Sequence, residues 1–274
     1  MRSGPEPPLP TLDELGRDLL DLPRCRVAVS LGTPFALAGA YFGFALTGWW
    51  PVAVGCVVAL SFVTYGSVSH DLVHRTLRLP KRWNEFFLTA IELLMLRSGR
   101  AYRLAHLNHH ARYPALLHDD PEAAAAHAGP LAALASGPLF FFRLWWWACR
   151  RYPAHRTRLW LEGVGIASLI GAAVFIAVYG HSVVPLVYVG LVYTGTWIVP
   201  FATAHVPHTP DGTGPLSQTR RFRGRIARLV ALDHLYHLEH HLYPRVPHHR
   251  WPELARRLDP FLDDRGVRVI RLWW

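Results

Sequence analysis

Three short stretches hold eight of the seventeen histidines in this chain: "HDLVH" at His70 to His74, "HLNHH" at His106 to His110 and "HLEHH" at His237 to His241. Imidazole is a metal ligand and a proton carrier near neutral pH, so the first question is whether these rings meet. On a helix, residues three and four apart share a face. Each stretch therefore offers a pair at four apart, and the second and third add one ring at three apart. The candidate ligands are His70, His74, His106, His109, His110, His237, His240 and His241. One tetrahedral zinc site takes three or four ligands. Eight suit two ions of higher coordination. A ninth ligand is sought in "AHVPHTPDG", Ala204 to Gly212, where Pro207 interrupts the helical spacing. His208 is preferred there and His205 is second. The other ring nitrogens need partners too, and Asp71, Asn108, Asp119, Asp120, Glu122, Asp233 and Glu239 are the candidates. His118, His127, His155, His181, His248 and His249 read as surface or headgroup residues, with His248, His249 and Arg250 as a basic patch suited to anionic lipid.

The elements that must position these rings are membrane helices. Half of the 274 residues are apolar (51%), yet Lys plus Arg number 29 against 19 Asp plus Glu. That mixture suits a small membrane protein with basic loops. A pI near 10 would also permit nucleic-acid binding, but long uncharged runs argue against it. No charged residue lies between Arg26 and Asp71, enough for two crossings of about 20 residues each. "TGWWP" divides the run, giving helices over 27–48 and 51–69. A second run, Gly163 to Pro210, breaks at "YGHSVVP" and gives helices over 159–178 and 183–204. Arginines cluster before the first and third helices and after the second and fourth, the last cluster including Arg225 and Arg228, whereas the two opposite turns carry no Lys or Arg. The positive-inside tendency puts both termini, the middle segment and every histidine cluster on the cytosolic side of an inner membrane, as in a bacterium. A cytosolic site beside a membrane, without cysteine and rich in neutral imidazole, fits two irons handling oxygen, although imidazole alone does not choose among Zn, Cu, Fe and Ni.

The rest is less periodic. "FFLTAIELLMLRSG", Phe86 to Gly99, is short and carries Glu92, so it is expected to lie against the membrane or re-enter it. "PLFFFRLWWWACRRY", Pro138 to Tyr152, reads as an interfacial helix. The opening residues, "MRSGPEPPLPTLDELGRDLL", lack the apolar core of a signal peptide and read as a cytosolic tail with a short amphipathic piece. Cys25, Cys56 and Cys149 show no paired spacing. The expected fold is all-α: a polytopic membrane protein with four crossings and a cytosolic helical cap carrying a histidine-rich dimetal site. Its parts are a tail over 1–26, a membrane domain with cap over 27–260 and a C-terminal tail over 261–274.

In order and in side, the three stretches resemble the histidine boxes of the membrane fatty acid desaturase and hydroxylase superfamily. The resemblance runs from about Ser69 to Pro247. It implies an oxygen-activating diiron centre held by the eight box histidines, with His208 as the match to a further ligand near the last crossing. It also implies O2 as co-substrate and a lipid or isoprenoid substrate. "HLNHHARYPALLHDDPE", "HVPH" and "HLEHHLYPRVP" resemble the carotenoid-oxidising branch in detail, although fatty acyl desaturases also end the third box with "HHLYP". Desaturation of a lipid chain is thus expected, with hydroxylation or ketolation of a carotenoid as the alternative. An external electron donor, a ferredoxin or haem protein with its reductase, suits the Arg-rich face. Two other classes use histidines differently. A zinc hydrolase needs a glutamate near the metal, and Glu239 lies off the metal-facing stripe. A metal transporter places ligands at mid-membrane, whereas these lie at helix ends.

Overall fold

The computed structural model describes residues 8–114, 119–224 and 233–272. His118, Arg225, Arg228 and residues 1–7 lie outside that set. A capped turn, α1 (Leu12–Leu15), precedes the first crossing, α2 (Arg24–Leu46). The second crossing is α3 (Trp50–Val63), a π-helical stretch (Thr64–Val68) and α4 (Ser69–His74) in line. A helical hairpin follows, α5 (Lys81–Leu94) and α6 (Gly99–Arg112), then the short α7 (Ala123–His127) and the long α8 (Pro130–Arg151). The third crossing is α9 (Arg156–Tyr179); the fourth is α10 (Val184–Gly195), carried on through a π-helical stretch over Pro200–His205. β1 (Arg221–Arg223), α11 (His237–Leu242), α12 (Trp251–Asp264) and β2 (Val269–Arg271) complete the cap.

Four helices are long and apolar enough to cross a membrane, spanning Arg17–Leu46, Trp50–His74, Pro153–Tyr179 and Val184–His205. The ends at Leu46, Trp50, Tyr179, Val184 and His205 fall within two residues of the expected bounds, because a charge in hydrocarbon is costly and a turn residue is needed at each return. The spans from Arg17 and Pro153 begin about ten and six residues earlier than expected. Most of their surface faces outward: Val58, Phe62, Val164, Phe175 and Ile198 are exposed, as lipid-facing residues must be. The short connections over 47–49 and 180–183 lie at one end, and the box histidines lie at the other.

The hairpin of α5 and α6 re-enters the bundle. At its tip the Tyr188 hydroxyl of α10 donates to the Leu94 carbonyl at 2.9 Å, and Met95 packs among Ala38, Tyr41 and Val57 of the crossings. Two charges travel with it, Glu92 and Arg97, almost fully buried and paired at 2.8 Å. Burying both together avoids the cost of either alone. Gly99 allows the close return: a Cβ there would sit 2.8 Å from the Leu88 carbonyl.

The two expected tails are structural parts of the cap. Leu15 and Leu19 bury against Trp251, Leu254 and Leu258 of α12. Helix α12 runs through position 260, and the chain beyond it pairs in parallel with β1, Phe222 opposite Ile270. The amphipathic spacing of Leu12, Leu15 and Leu19 marks a buried stripe, and the stripe needs a partner.

Candidate metal centre

Box one is the C-terminal end of the second crossing. Its position is fixed from outside: the Leu72 carbonyl accepts from Asn84 Nδ2 at 2.8 Å and from the Arg103 guanidinium. Ser69 Oγ, next to His70, donates to Glu92 Oε1 at 2.6 Å, which ties the box to the hairpin. Glu85 gathers Arg100 at 2.6 Å, Arg158 at 2.9 Å and also Arg103, locking α5, α6 and α9 together. Box two rides on α6, whose N-cap Ser98 accepts from the Ala101 amide at 3.0 Å. Box three is α11 itself.

The nine candidate rings converge in two groups. His70, His74, His106, His110 and His240 form one, and His109, His208, His237 and His241 form the other; within each, the potential ligand atoms lie within 4.8 Å of one another. The split follows from helical geometry. At about 100° per residue, positions i and i+4 lie about 40° apart and i+3 lies about 60° to the other side. So each pair at four apart stays in one pocket, and His109 and His240 cross to the other. His205 stacks on Phe201, ring centres 5.5 Å apart, and joins neither group.

Ring nitrogens face each other at short range. The Nε2 atoms of His70 and His106 are 3.0 Å apart, His110 and His240 2.8 Å, His109 and His208 2.8 Å, and His208 and His237 3.2 Å. Three of these rings have an acceptor on the far side. His106 Nδ1 meets Glu122 at 3.0 Å, His109 Nδ1 meets Asp120 at 2.7 Å, and His208 Nδ1 meets the Ala204 carbonyl at 2.7 Å. A neutral ring has one N–H. With those protons on Nδ1, His109 and His208 aim lone pairs at each other, and only a cation between them relieves the repulsion. Burial first, then the neighbouring rings, holds His110, His208, His237, His240 and His241 well below the ordinary 6.5. His109 differs: burial lowers it, but the Asp120 carboxylate outweighs burial and raises it. For metal–nitrogen bonds of about 2.1 Å, ligands at right angles stand about 3.0 Å apart and tetrahedral ones about 3.4 Å. The observed separations suit the former. The donor sets fit two metal ions of more than tetrahedral coordination.

The profile of one protein family, described as fatty acid desaturase, matches residues 47–273. The chain belongs to that family. None of the curated proteins compared with it matches. As a member of the fatty acid desaturase family, it is a membrane oxidoreductase of desaturase or hydroxylase type, and its histidine clusters are compatible with a metal site.

The carboxylates divide unevenly. Asp120 and Glu122 orient box-two rings, and Asp120 Oδ1 also accepts the backbone amides of Glu122 and Ala123, which starts α7. Among the described residues, Asp71, Asn108, Asp119 and Glu239 make no hydrogen bond to a box ring. Asp71 holds Thr76 at 2.7 Å and His248 at 2.5 Å. Asn108 donates to the Asp119 carbonyl, and Asp119 pairs with Arg112. Glu239 turns from the metal pockets to Arg223 at 2.5 Å. Asp233 shapes a left-handed turn before box three, its carbonyl accepting from the Tyr236 amide at 3.0 Å.

His248, expected at the surface, is instead the partner of Asp71, and Asp71 raises its pKa against the lowering effect of burial. No local pattern links residues so far apart in sequence. Trp251 was not singled out by sequence, yet it is fully buried and packs on His240 and His70, ring centres 4.8 and 5.3 Å away. The residue type alone gave no signal, because five of the nine described tryptophans are exposed.

Proposed function

We propose that this chain is an O2-dependent diiron oxidoreductase that desaturates a fatty acyl or related lipid chain. The observation that supports it is the meeting of nine histidine rings in two adjoining pockets. His70, His74, His106, His110 and His240 would hold one iron, and His109, His208, His237 and His241 the other. Two irons, when bound, supply the oxidation of an unactivated C–H bond by O2 with electrons from outside. The protein orients the rings: Asp120 and Glu122 keep His109 and His106 in the tautomer that presents Nε2 inward. It also excludes water, through Trp251 on one side and Tyr113 on the other. Tyr113 lies 4.9 Å from His109 and 4.7 Å from His208 between ring centres.

A second reading keeps the site and makes the product an alcohol or ketone of a carotenoid or other isoprenoid. One observation favours it. The two orienting carboxylates stand in "HDDPE", the stretch that resembles the carotenoid-oxidising branch. We further propose that the termini and site face the cytosol of a bacterial inner membrane, and that a ferredoxin or haem protein with its reductase delivers the electrons. Mass spectrometry of total lipids from cells with and without the gene tests the function. New unsaturation in acyl chains supports the first reading, oxygenated isoprenoids in a carotenoid-making host support the second, and unchanged lipids in both hosts refute the pair.

A further inference from the structure

A narrow cleft of about 170 Å³, open to the lipid side, follows the seam between α3 and the fourth crossing. Val57, Ser61, Tyr65, Leu191, Val199 and Thr203 are among its walls. From Val54 to Gly66 the lining covers about 18 Å of helix rise, more than half of a hydrocarbon core about 30 Å thick. Val58, Phe62 and Ile198, each about half exposed, rim it on the lipid side.

The floor of the cleft is His234. This ring is almost fully buried, at 1% exposure; neither of its nitrogens makes a well-formed hydrogen bond among the described residues, and the Thr203 backbone offers only a weak one. It belongs to neither metal group. Its ring centre lies 4.8 Å from that of His237 and 6.2 Å from that of His70, one candidate ligand from each pocket. A buried imidazole so weakly partnered is unfavourable unless something brings a better partner. The two π-helical stretches, Thr64–Val68 and Pro200–His205, flank this floor, and π turns concentrate at functional sites. The lining contains no Lys or Arg. A carboxylate head would therefore be buried without a counter-charge, which disfavours it strongly.

We propose that this cleft admits the substrate sideways from the bilayer: an apolar chain lies along α3, and His234 receives one neutral hydroxyl or carbonyl oxygen at its inner end. The inference rests on the oxidoreductase reading and adds a route and a specificity residue. His234 positions the chain; it does not hold the metal.

The test uses the full chain in phosphatidylcholine vesicles containing a long-chain alcohol with a mid-chain diazirine. Irradiation is expected to attach the probe to the segments 54–66 and 191–203. Unlabelled long-chain alcohol should compete at least about tenfold better than the matched alkane, because a site built for a hydroxyl rejects its absence. The matched fatty acid should compete poorly. His234→Phe should erase the preference for alcohol over alkane, and His234→Gln should restore part of it; a merely structural role would not move that ratio. Ala202→Trp should lower labelling by about tenfold or more by filling the cleft. Val58→Trp, at the rim, gives the same reading if the first variant does not fold. Labelling confined to other segments, or equal competition by alcohol and alkane in the unaltered chain, overturns the proposal. Iron content of the same samples keeps the two readings apart: two irons without cleft labelling sinks the cleft alone, and labelling without iron sinks the oxidoreductase reading.

Discussion

The two histidine pockets are built by different means. In the four-histidine pocket, hydrogen bonds orient two of the rings: Asp120 takes the Nδ1 proton of His109 and the Ala204 carbonyl takes that of His208, while His237 Nδ1 has no partner among the described residues. In the five-histidine pocket only His106 has such an acceptor among the described residues, Glu122; His240 Nδ1 has none there, and its ring leans on Trp251 instead. A hydrogen bond fixes both tautomer and direction; packing fixes position alone. Similar ligand types can thus be preorganised by polar partners or by an aromatic wall, and the two should fail differently.

The comparison can be broken at several points. The largest effect should come from the ligands. His109→Ala and His240→Ala should each abolish turnover and remove one ion from its own pocket, with membrane insertion intact; turnover retained in both would refute the ligand assignment. Next comes Trp251→Ala. Removing a fully buried indole costs about 3–5 kcal/mol, and thermal melting should show that loss together with weaker metal binding in the five-histidine pocket alone. Equal weakening of both pockets would erase the contrast. Asp120→Asn is expected to lower metal affinity about 10–100-fold in the four-histidine pocket, and Glu122→Gln to do so in the other; competitive chelator titration reads both.

Acid should have the smallest and most graded effect. His110, His208, His237, His240 and His241 are held below 6.5 in the folded chain, by burial first. The unfolded chain therefore takes up protons first as pH falls below 6.5, and the metal-free fold should lose stability there. His109 works the opposite way, since Asp120 raises it. Asp120→Asn should remove that opposing contribution and steepen the loss, as denaturant melts at pH 7 and pH 5.5 would show.

Much of this was legible in the sequence, and the rest was hidden for physical reasons. The crossings could be read because charge is excluded from hydrocarbon over a fixed length, so their ends lie near Arg26, Asp71 and Glu162. The boxes could be read because i, i+3 and i+4 share a helical face. The depth of the α5–α6 hairpin could not. Glu92 argued against burial, and Arg97, a few residues on, together with the Ser69 hydroxyl makes burial tolerable. The Asp71–His248 pair was equally silent, since both partners look like ordinary box and surface residues until the chain folds. Tryptophan was ambiguous by nature: Trp49, Trp146 and Trp197 face outward, while Trp251 is sealed against the metal pockets.

One measurement reaches the central claim most directly: the metal content of the purified chain, by elemental analysis together with Mössbauer spectroscopy. Two irons per chain in two distinguishable nitrogen environments is the predicted result. A single zinc per chain, with the second set of rings vacant, would contradict it.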